Sequence, residues 1–299
     1  MIELRGVYPY LISPLDDSGL VRTEVLGNLI EHLLDCGVHG LAPLGSTGEF
    51  AYLDAGQRLE VVRATVQHSA GRVPVIAGVA ATTISDAVRQ VQAYKQAGAD
   101  GILAILESYF PVNDTGVEAY FTAIADEAGD MPVVLYTNPQ FQRSDLSLPV
   151  IARLSRHPAI RAIKDASTNT GRLLSIIQKT QGKLAVFAAS SHVPAAVMLL
   201  GGVGWMAGPA CLVPRQSVML YTLAMQGRWS EAMALQQQLW PLNQLFARYT
   251  PAATVKAGLV LQGFDVGLPL APQPSVDEPG IELIRNALTR ISECRNFSE

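Results

Sequence analysis

The sequence predicts an α/β chain folded as a (β/α)8 TIM barrel with a C-terminal helical extension, on three observations. Eight short apolar runs recur at residues 6–13, 40–45, 74–80, 101–106, 132–137, 160–166, 184–189 and 202–207, with starts on average about 28 residues apart, the period of a strand-plus-helix unit. Amphipathic stretches lie between them: Leu26, Leu29, Ile30, Leu33 and Leu34 share one helix face, and Val88 with Val91 and Leu173, Leu174, Ile176 and Ile177 mark two more. Glycines Gly37, Gly98 and Gly201 end helical patterns just before an apolar run, where a left-handed residue turns the chain from helix to strand. Eight such units with right-handed crossovers close as a parallel barrel; a doubly wound open sheet is the alternative.

Beyond about Pro214 the strand pattern stops and four helices are expected: one through Met225, then 229–246, 254–262 and 282–294. Only the first belongs to the barrel, so the expected division is a catalytic barrel over residues 1–227 and a helical extension over 228–299. The proline-rich stretch Leu268-Pro269-Leu270-Ala271-Pro272-Gln273-Pro274 reads as an extended connector along the surface.

Composition removes several classes of function. With 49% hydrophobic and 16% charged residues in 299, the chain has ample material for a large core. A net charge of -4 and the absence of any Lys/Arg run give no electrostatic footprint for nucleic acid or an anionic membrane. Cys36, Cys211 and Cys294 are far apart with no CxxC pair, which speaks against a disulfide framework or a zinc site. The five histidines show no paired ligand spacing, so neither metal nor cofactor is expected. The first residues lack a basic-then-apolar leader, and no apolar stretch approaches the ~18 residues of a membrane span. A soluble cytoplasmic protein is the expectation.

In such a barrel, catalytic groups come from the C-terminal ends of strands and the loops that follow. Of only five lysines, Lys95, Lys179 and Lys183 fall at helix ends or in a polar turn, and Lys256 lies on a helix of the extension, where a structural or snorkelling role is expected. Lys164 sits near the end of the sixth run, on one face with Ala162 and Ala166, which leave room for a ligand. A lysine in a dry pocket has its pKa lowered from ~10.4, and the neutral amine attacks carbonyls. The competing reading is an ion pair with Glu49 or Asp165. Tyr136 is the fifth residue of the run from Pro132, as Lys164 is of the run from Ile160, so adjacent strands bring both to one end of the barrel. The phenol there serves as a proton carrier or fills space as a hydrogen-bonded aromatic. In the turn Gly45-Ser46-Thr47-Gly48-Glu49, hydroxyls and backbone N–H groups converge on a carboxylate-sized anion.

These motifs, Gly-Ser-Thr-Gly-Glu at 45–49, Tyr-Thr-Asn-Pro at 136–139 and Ile-Lys-Asp-Ala at 163–166, resemble the dihydrodipicolinate synthase and N-acetylneuraminate lyase family, over nearly the whole chain. The resemblance implies a lyase that holds a 2-oxo acid, usually pyruvate, as a Schiff base. Lys164 would be the nucleophile, Tyr136 the proton shuttle, and Thr47 a catalytic and binding residue; Ser46 would hold the carboxylate with it, and Gly48, Ala189, Met206 and Phe141 would complete the substrate site. It also implies a homo-oligomer, a tetramer or dimer. Three departures bear on the substrate. Phe141 stands where dihydrodipicolinate synthases carry an arginine for the second substrate's carboxylate, Phe110 where they carry a relay tyrosine from a neighbouring subunit, and Ala189-Ser190-Ser191-His192 where sialic-acid lyases carry an acidic pair. The reading is an aldolase or dehydratase acting on pyruvate or a 2-keto-3-deoxy acid, with an aldehyde half that is neutral and in part apolar. The alternatives are a dihydrodipicolinate synthase proper and a catalytically weak pyruvate-binding regulator.

Overall fold

The computed structural model describes residues 2–139, 142–190 and 192–293; Phe141, Ser191 and Cys294 therefore lie outside the described residues. Seven parallel strands form one sheet: β1 (Gly6–Pro9), β2 (Ile76–Ala81), β3 (Gly101–Leu106), β4 (Val133–Thr137), β5 (Ile160–Asp165), β6 (Ala185–Ala188) and β7 (Gly204–Ala207). Sequence neighbours pair from β2 through β7, and β7 pairs with β1. The expected second run does not form a full ladder. Leu41 and Ala42 make single bridges to Val75 and Tyr10, and the Ala42 N–H donates to Pro9 O at 3.0 Å while the Leu11 N–H donates to Ala42 O at 3.0 Å, so this segment fills the gap between β1 and β2. Pro43 O still accepts from the Gly78 N–H at 3.0 Å, but the pairing goes no further because Pro43 has no N–H to donate and Leu44 turns into the left-handed region at φ 58°.

Around the sheet run α1 (Thr23–Asp35), α2 (Ala55–Ser69), α3 (Ile84–Gln96), α4 (Asp114–Ala128), α5 (Leu148–Leu154), α6 (Thr170–Lys179), α7 (Pro194–Leu199), α8 (Pro209–Leu212) and α9 (Pro214–Met225). Their starts are written locally: the side chains of Asp54, Thr83, Asn113, Ser147 and Asn169 each accept the N–H of a first-turn residue. Gly37, Gly98 and Gly201, at φ 79°, 90° and 105°, make the turns toward the next strand.

The extension comprises α10 (Trp229–Arg248), α11 (Pro251–Leu261) and α12 (Glu278–Glu293). α11 begins three residues ahead of the sequence expectation because Thr250 caps it, accepting from the Ala253 N–H, and Pro251 fits the first turn. α12 likewise starts earlier, where Asp277 accepts from the Gly280 N–H at 2.9 Å. Among the described residues no helix is long and apolar enough to cross a membrane.

Strand alternation divides the core in two. Tyr8, Tyr10, Ile76, Leu103, Val134, Tyr136, Ala162, Phe187 and Met206 point inward and fill the barrel. Their neighbours, among them Val7, Val79, Ala104, Leu135, Ile163 and Val186, point outward onto the helices. One irregularity places the chemistry. Val133 pairs with Ile160 but Val134 pairs with Ala162, so Arg161 is an extra residue at the start of β5. That bulge restores the register of Tyr136 opposite Lys164 and turns Ala162, Lys164 and Ala166 inward.

Candidate active site

At the C-terminal end of β5, Lys164 is buried, with 2% of its surface exposed. Its Nζ lies 4.0 Å from the ring centroid of Tyr136 and 4.4 Å from that of Tyr10. Burial holds the amine below its ordinary pKa, and the neighbouring Tyr136 and Asp165 only partly oppose that. Neither carboxylate considered from the sequence is paired with it. Asp165 points outward, where Oδ2 accepts from Arg172 Nε at 2.6 Å and Oδ1 from the Ser167 N–H at 2.9 Å. Glu49 Oε2 lies 2.6 Å from Lys256 Nζ, both side chains fully buried.

Tyr136 is equally enclosed. Its hydroxyl oxygen accepts from Asn138 Nδ2 at 3.2 Å, and the same hydroxyl bears directly on the Lys164 amine. Tyr136, Lys164, Ser46, Asn138, Ala166, Thr168, Ala189 and Ser190 line a cavity of about 240 Å³ whose outer wall is Trp240, Asn243, Gln244 and Ala247 of α10. A second cavity of about 560 Å³ shares Ser46, Tyr136 and Asn138 and runs toward Glu107, Ser108, Tyr109 and Gln273. Among the described lining residues of the first cavity there is no Asp, Glu, His or Arg, and Lys164 is the one lysine.

The Ser46–Gly48 segment is a single 3-10 turn, with Glu49 left-handed at φ 57°. Its glycines are required by contact: a Cβ on Gly45 would lie 2.4 Å from the Tyr10 ring, and one on Gly48 2.8 Å from Leu11 O. The turn is held from the extension. Glu49 Oε1 accepts from the Leu270 N–H at 2.6 Å and from Gln273 Nε2 at 2.8 Å, and Lys256 Nζ donates to Leu268 O at 2.8 Å. The proline-rich stretch thus runs along the surface as expected but is also a strap tied to the turn.

The profile of the Dihydrodipicolinate synthetase family matches residues 3–290. This chain belongs to the dihydrodipicolinate synthase family. It is similar to the 4-hydroxy-tetrahydrodipicolinate synthase of Methanosphaerula palustris, 36% identical over 277 residues that cover 91% of this chain and 94% of that one. The corresponding synthase of Neisseria gonorrhoeae is 33% identical over 95% and 98% of the two chains. Among solved structures, a putative dihydrodipicolinate synthetase from Pseudomonas aeruginosa superposes with a TM-score of 0.93 at 31% identity, covering 97% of this chain and all of that one. YagE from Escherichia coli K12, solved in complex with pyruvate, gives 0.91 at 29% identity, covering 98% of this chain and all of YagE. The class is therefore that of the family's lyases, and the barrel is the family's barrel.

Within this family member, the structure gathers Lys164, Tyr136, Ser46 and Ala189 on one cavity. Thr47 and Gly48 are buried in the turn beside Ser46, and Met206 sits in the barrel interior; these three do not line the cavity. Lys256 is structural, but its head is in an ion pair and does not snorkel to water. His192 is committed to the loops: its Nδ1 accepts from the Ala189 N–H at 3.0 Å and its Nε2 bonds to Ser167 O, which fixes a neutral ring. Tyr109 and Phe110 stack edge to face and are 78% and 74% exposed; Tyr109 lines the second cavity and Phe110 does not.

Two contributions were not read from the sequence. Tyr10 is the fifth residue of the first run, the same position that picks out Tyr136 and Lys164, so counting along the run from Gly6 would have found it. The α10 wall had no such signal, because Trp240, Asn243 and Gln244 reach the site only through the packing of the extension.

Proposed function

We propose that Lys164 forms a Schiff base with a 2-oxo acid, pyruvate or a 2-keto-3-deoxy acid, and that the enzyme makes or breaks the bond beyond C3. The observation that carries this is a buried lysine with no carboxylate partner among the described residues, opening onto a cavity beside a tyrosine hydroxyl. A neutral Nζ adds to C2, the carbonyl oxygen gains a proton to give the carbinolamine, and loss of water leaves a protonated imine. Loss of a C3 proton to the water just released gives the enamine, whose C3 bonds to an aldehyde carbon as that proton returns, through Tyr136, to the aldehyde oxygen; cleavage is the reverse, and water then releases the 2-oxo acid. Tyr136 carries protons to and from these oxygens, and Asn138 orients its hydroxyl. Ser46 and Thr47 open the helical turn, where the first N–H groups have no acceptor within it, and with the Ser46 hydroxyl they receive the substrate carboxylate. Thr47 assists catalysis as part of this turn, with Gly48 beside it, and Ala189 lines the cavity next to Lys164.

The far end of the cavity is lined by Thr168, Ser190, Asn243 and Gln244, which supports a neutral second half of the substrate. On this reading residues 228–299 complete the site of the 1–227 barrel. The exposed Tyr109–Phe110 pair supports a homo-oligomer that covers this corner, and the buried free thiols of Cys36 and Cys211 support a reducing cytoplasm.

A second reading, condensation of pyruvate with aspartate semialdehyde, is favoured by the relatives named 4-hydroxy-tetrahydrodipicolinate synthase. It requires a cationic partner for the aldehyde's carboxylate. Phe141 is not one, and Arg143 is exposed and lines neither cavity. Lack of such a partner costs about 2 to 5 kcal/mol, roughly 30- to 5000-fold in specificity constant. Condensation assays with pyruvate and either aspartate semialdehyde or glyceraldehyde separate the readings. Glyceraldehyde is expected to be the better acceptor, and Tyr136→Phe to lower its turnover by roughly 10²-fold with the fold intact. Efficient condensation with aspartate semialdehyde, abolished by Arg143→Ala, would establish the second reading; unchanged turnover in Tyr136→Phe would make that residue a packing element.

A further inference from the structure

We infer that Tyr10 is a catalytic residue whose ring face, together with that of Tyr136, carries the positive charge of the iminium on Lys164 in place of a carboxylate counter-ion. The inference rests on the Schiff-base reading. When the carbinolamine loses water, the positive charge stays on the lysine nitrogen, so the distances to Nζ also describe where that charge sits. It lies 4.4 Å from the centroid of one ring and 4.0 Å from the other, well inside the ~6 Å over which a ring face attracts a cation.

No carboxylate among the described residues pairs with that nitrogen, and Asp165 favours its charge only from a distance. The oxygens of Asp165 are committed to Arg172 and the Ser167 N–H, and those of Glu49 to Lys256, Leu270 and Gln273. The other groups that bear on Lys164 are the Tyr136 phenol and His192, and burial lowers the pKa of His192 so that the ring stays neutral. Tyr10 itself is fully buried, and burial keeps its phenol protonated, so it supplies a ring and not a phenolate. Among the described residues its hydroxyl has no hydrogen-bond partner, so no bond to them holds the ring by its oxygen. Packing holds it: the ring rests on Gly45, where a Cβ would come within 2.4 Å, and stands at 89° to the Tyr136 ring with centroids 6.5 Å apart. Two rings at right angles present two faces to one nitrogen.

The test replaces residue 10 by phenylalanine, by phenylalanines bearing successively more ring fluorines, and by leucine. Each protein is titrated with pyruvate, the imine fixed by borohydride, and the half-saturating pyruvate concentration read from intact mass, with thermal unfolding as the check on folding. Tyr10→Phe is expected to stay within about twofold of the native protein. Fluorines withdraw density from the ring face at nearly constant volume, so half-saturation is expected to rise with each one, and Tyr10→Leu to weaken binding by about 5- to 30-fold. A flat fluorine series would overturn the inference and reduce Tyr10 to packing. A Tyr10→Phe as weak as Tyr10→Leu would overturn it in favour of the hydroxyl. No adduct in the native protein would instead remove the Schiff-base reading, so the two failures are distinguishable.

Discussion

Lys164→Met is expected to lose turnover by on the order of 10⁴-fold or more while melting at a higher temperature than the native protein at neutral pH. The first effect is the loss of the only atom that forms the covalent intermediate. The second follows from burial. In the folded chain the amine's pKa is depressed, chiefly by desolvation, whereas the unfolded chain keeps a value near ~10.4. Between the two values the unfolded state binds more protons, so stability climbs with pH across that window and the penalty is gone above the unfolded pKa. Methionine fills similar space without that penalty. The gain in melting temperature should therefore be present at pH 7 and shrink toward pH 10. A variant less stable than the native protein at pH 7 would show that the amine is a structural ion-pair member after all.

Lys256→Met is expected to have the opposite consequence, although it removes the same group from an equally buried position. Here the amine is 2.6 Å from Glu49, and its removal leaves a fully buried carboxylate without its cation. Breaking such a pair costs about 3 to 5 kcal/mol, or roughly 6 to 20 °C in melting temperature. Glu49 also ends the Ser46–Gly48 turn and anchors the 268–273 strap, so the loss should weaken pyruvate retention as well. The double variant Glu49→Gln, Lys256→Met keeps an acceptor for Leu270 and Gln273 without a stranded charge, and should recover most of the stability. A single variant within 1 °C of the native protein would show the pair to be dispensable.

These two lysines mark how far the sequence could be read. The strands announce themselves because a parallel sheet covered on both faces needs continuous apolar runs, and the glycine-ended helices because each turn into the next strand needs a left-handed residue. Residues 40–45 read as an equal strand because apolarity does not show that Pro43 and Leu44 end the pairing. Tyr136 and Lys164 align when counted from the starts of their runs, yet the true register reaches that alignment only through the bulge at Arg161, which no periodicity displays. Pairing of Glu49 with Lys256, 207 positions later in the chain, and the α10 wall are tertiary facts with no local signature. The departure at Phe141 is legible only in sequence, since that residue lies outside the described structure.

The most direct measurement is borohydride reduction of the purified protein in the presence of pyruvate, followed by intact-mass analysis and peptide mapping. A single pyruvyl adduct per chain, on Lys164 and absent in Lys164→Met, is the expected result. No adduct, or an adduct on Lys256, would contradict the assignment of Lys164 as the Schiff-base nucleophile.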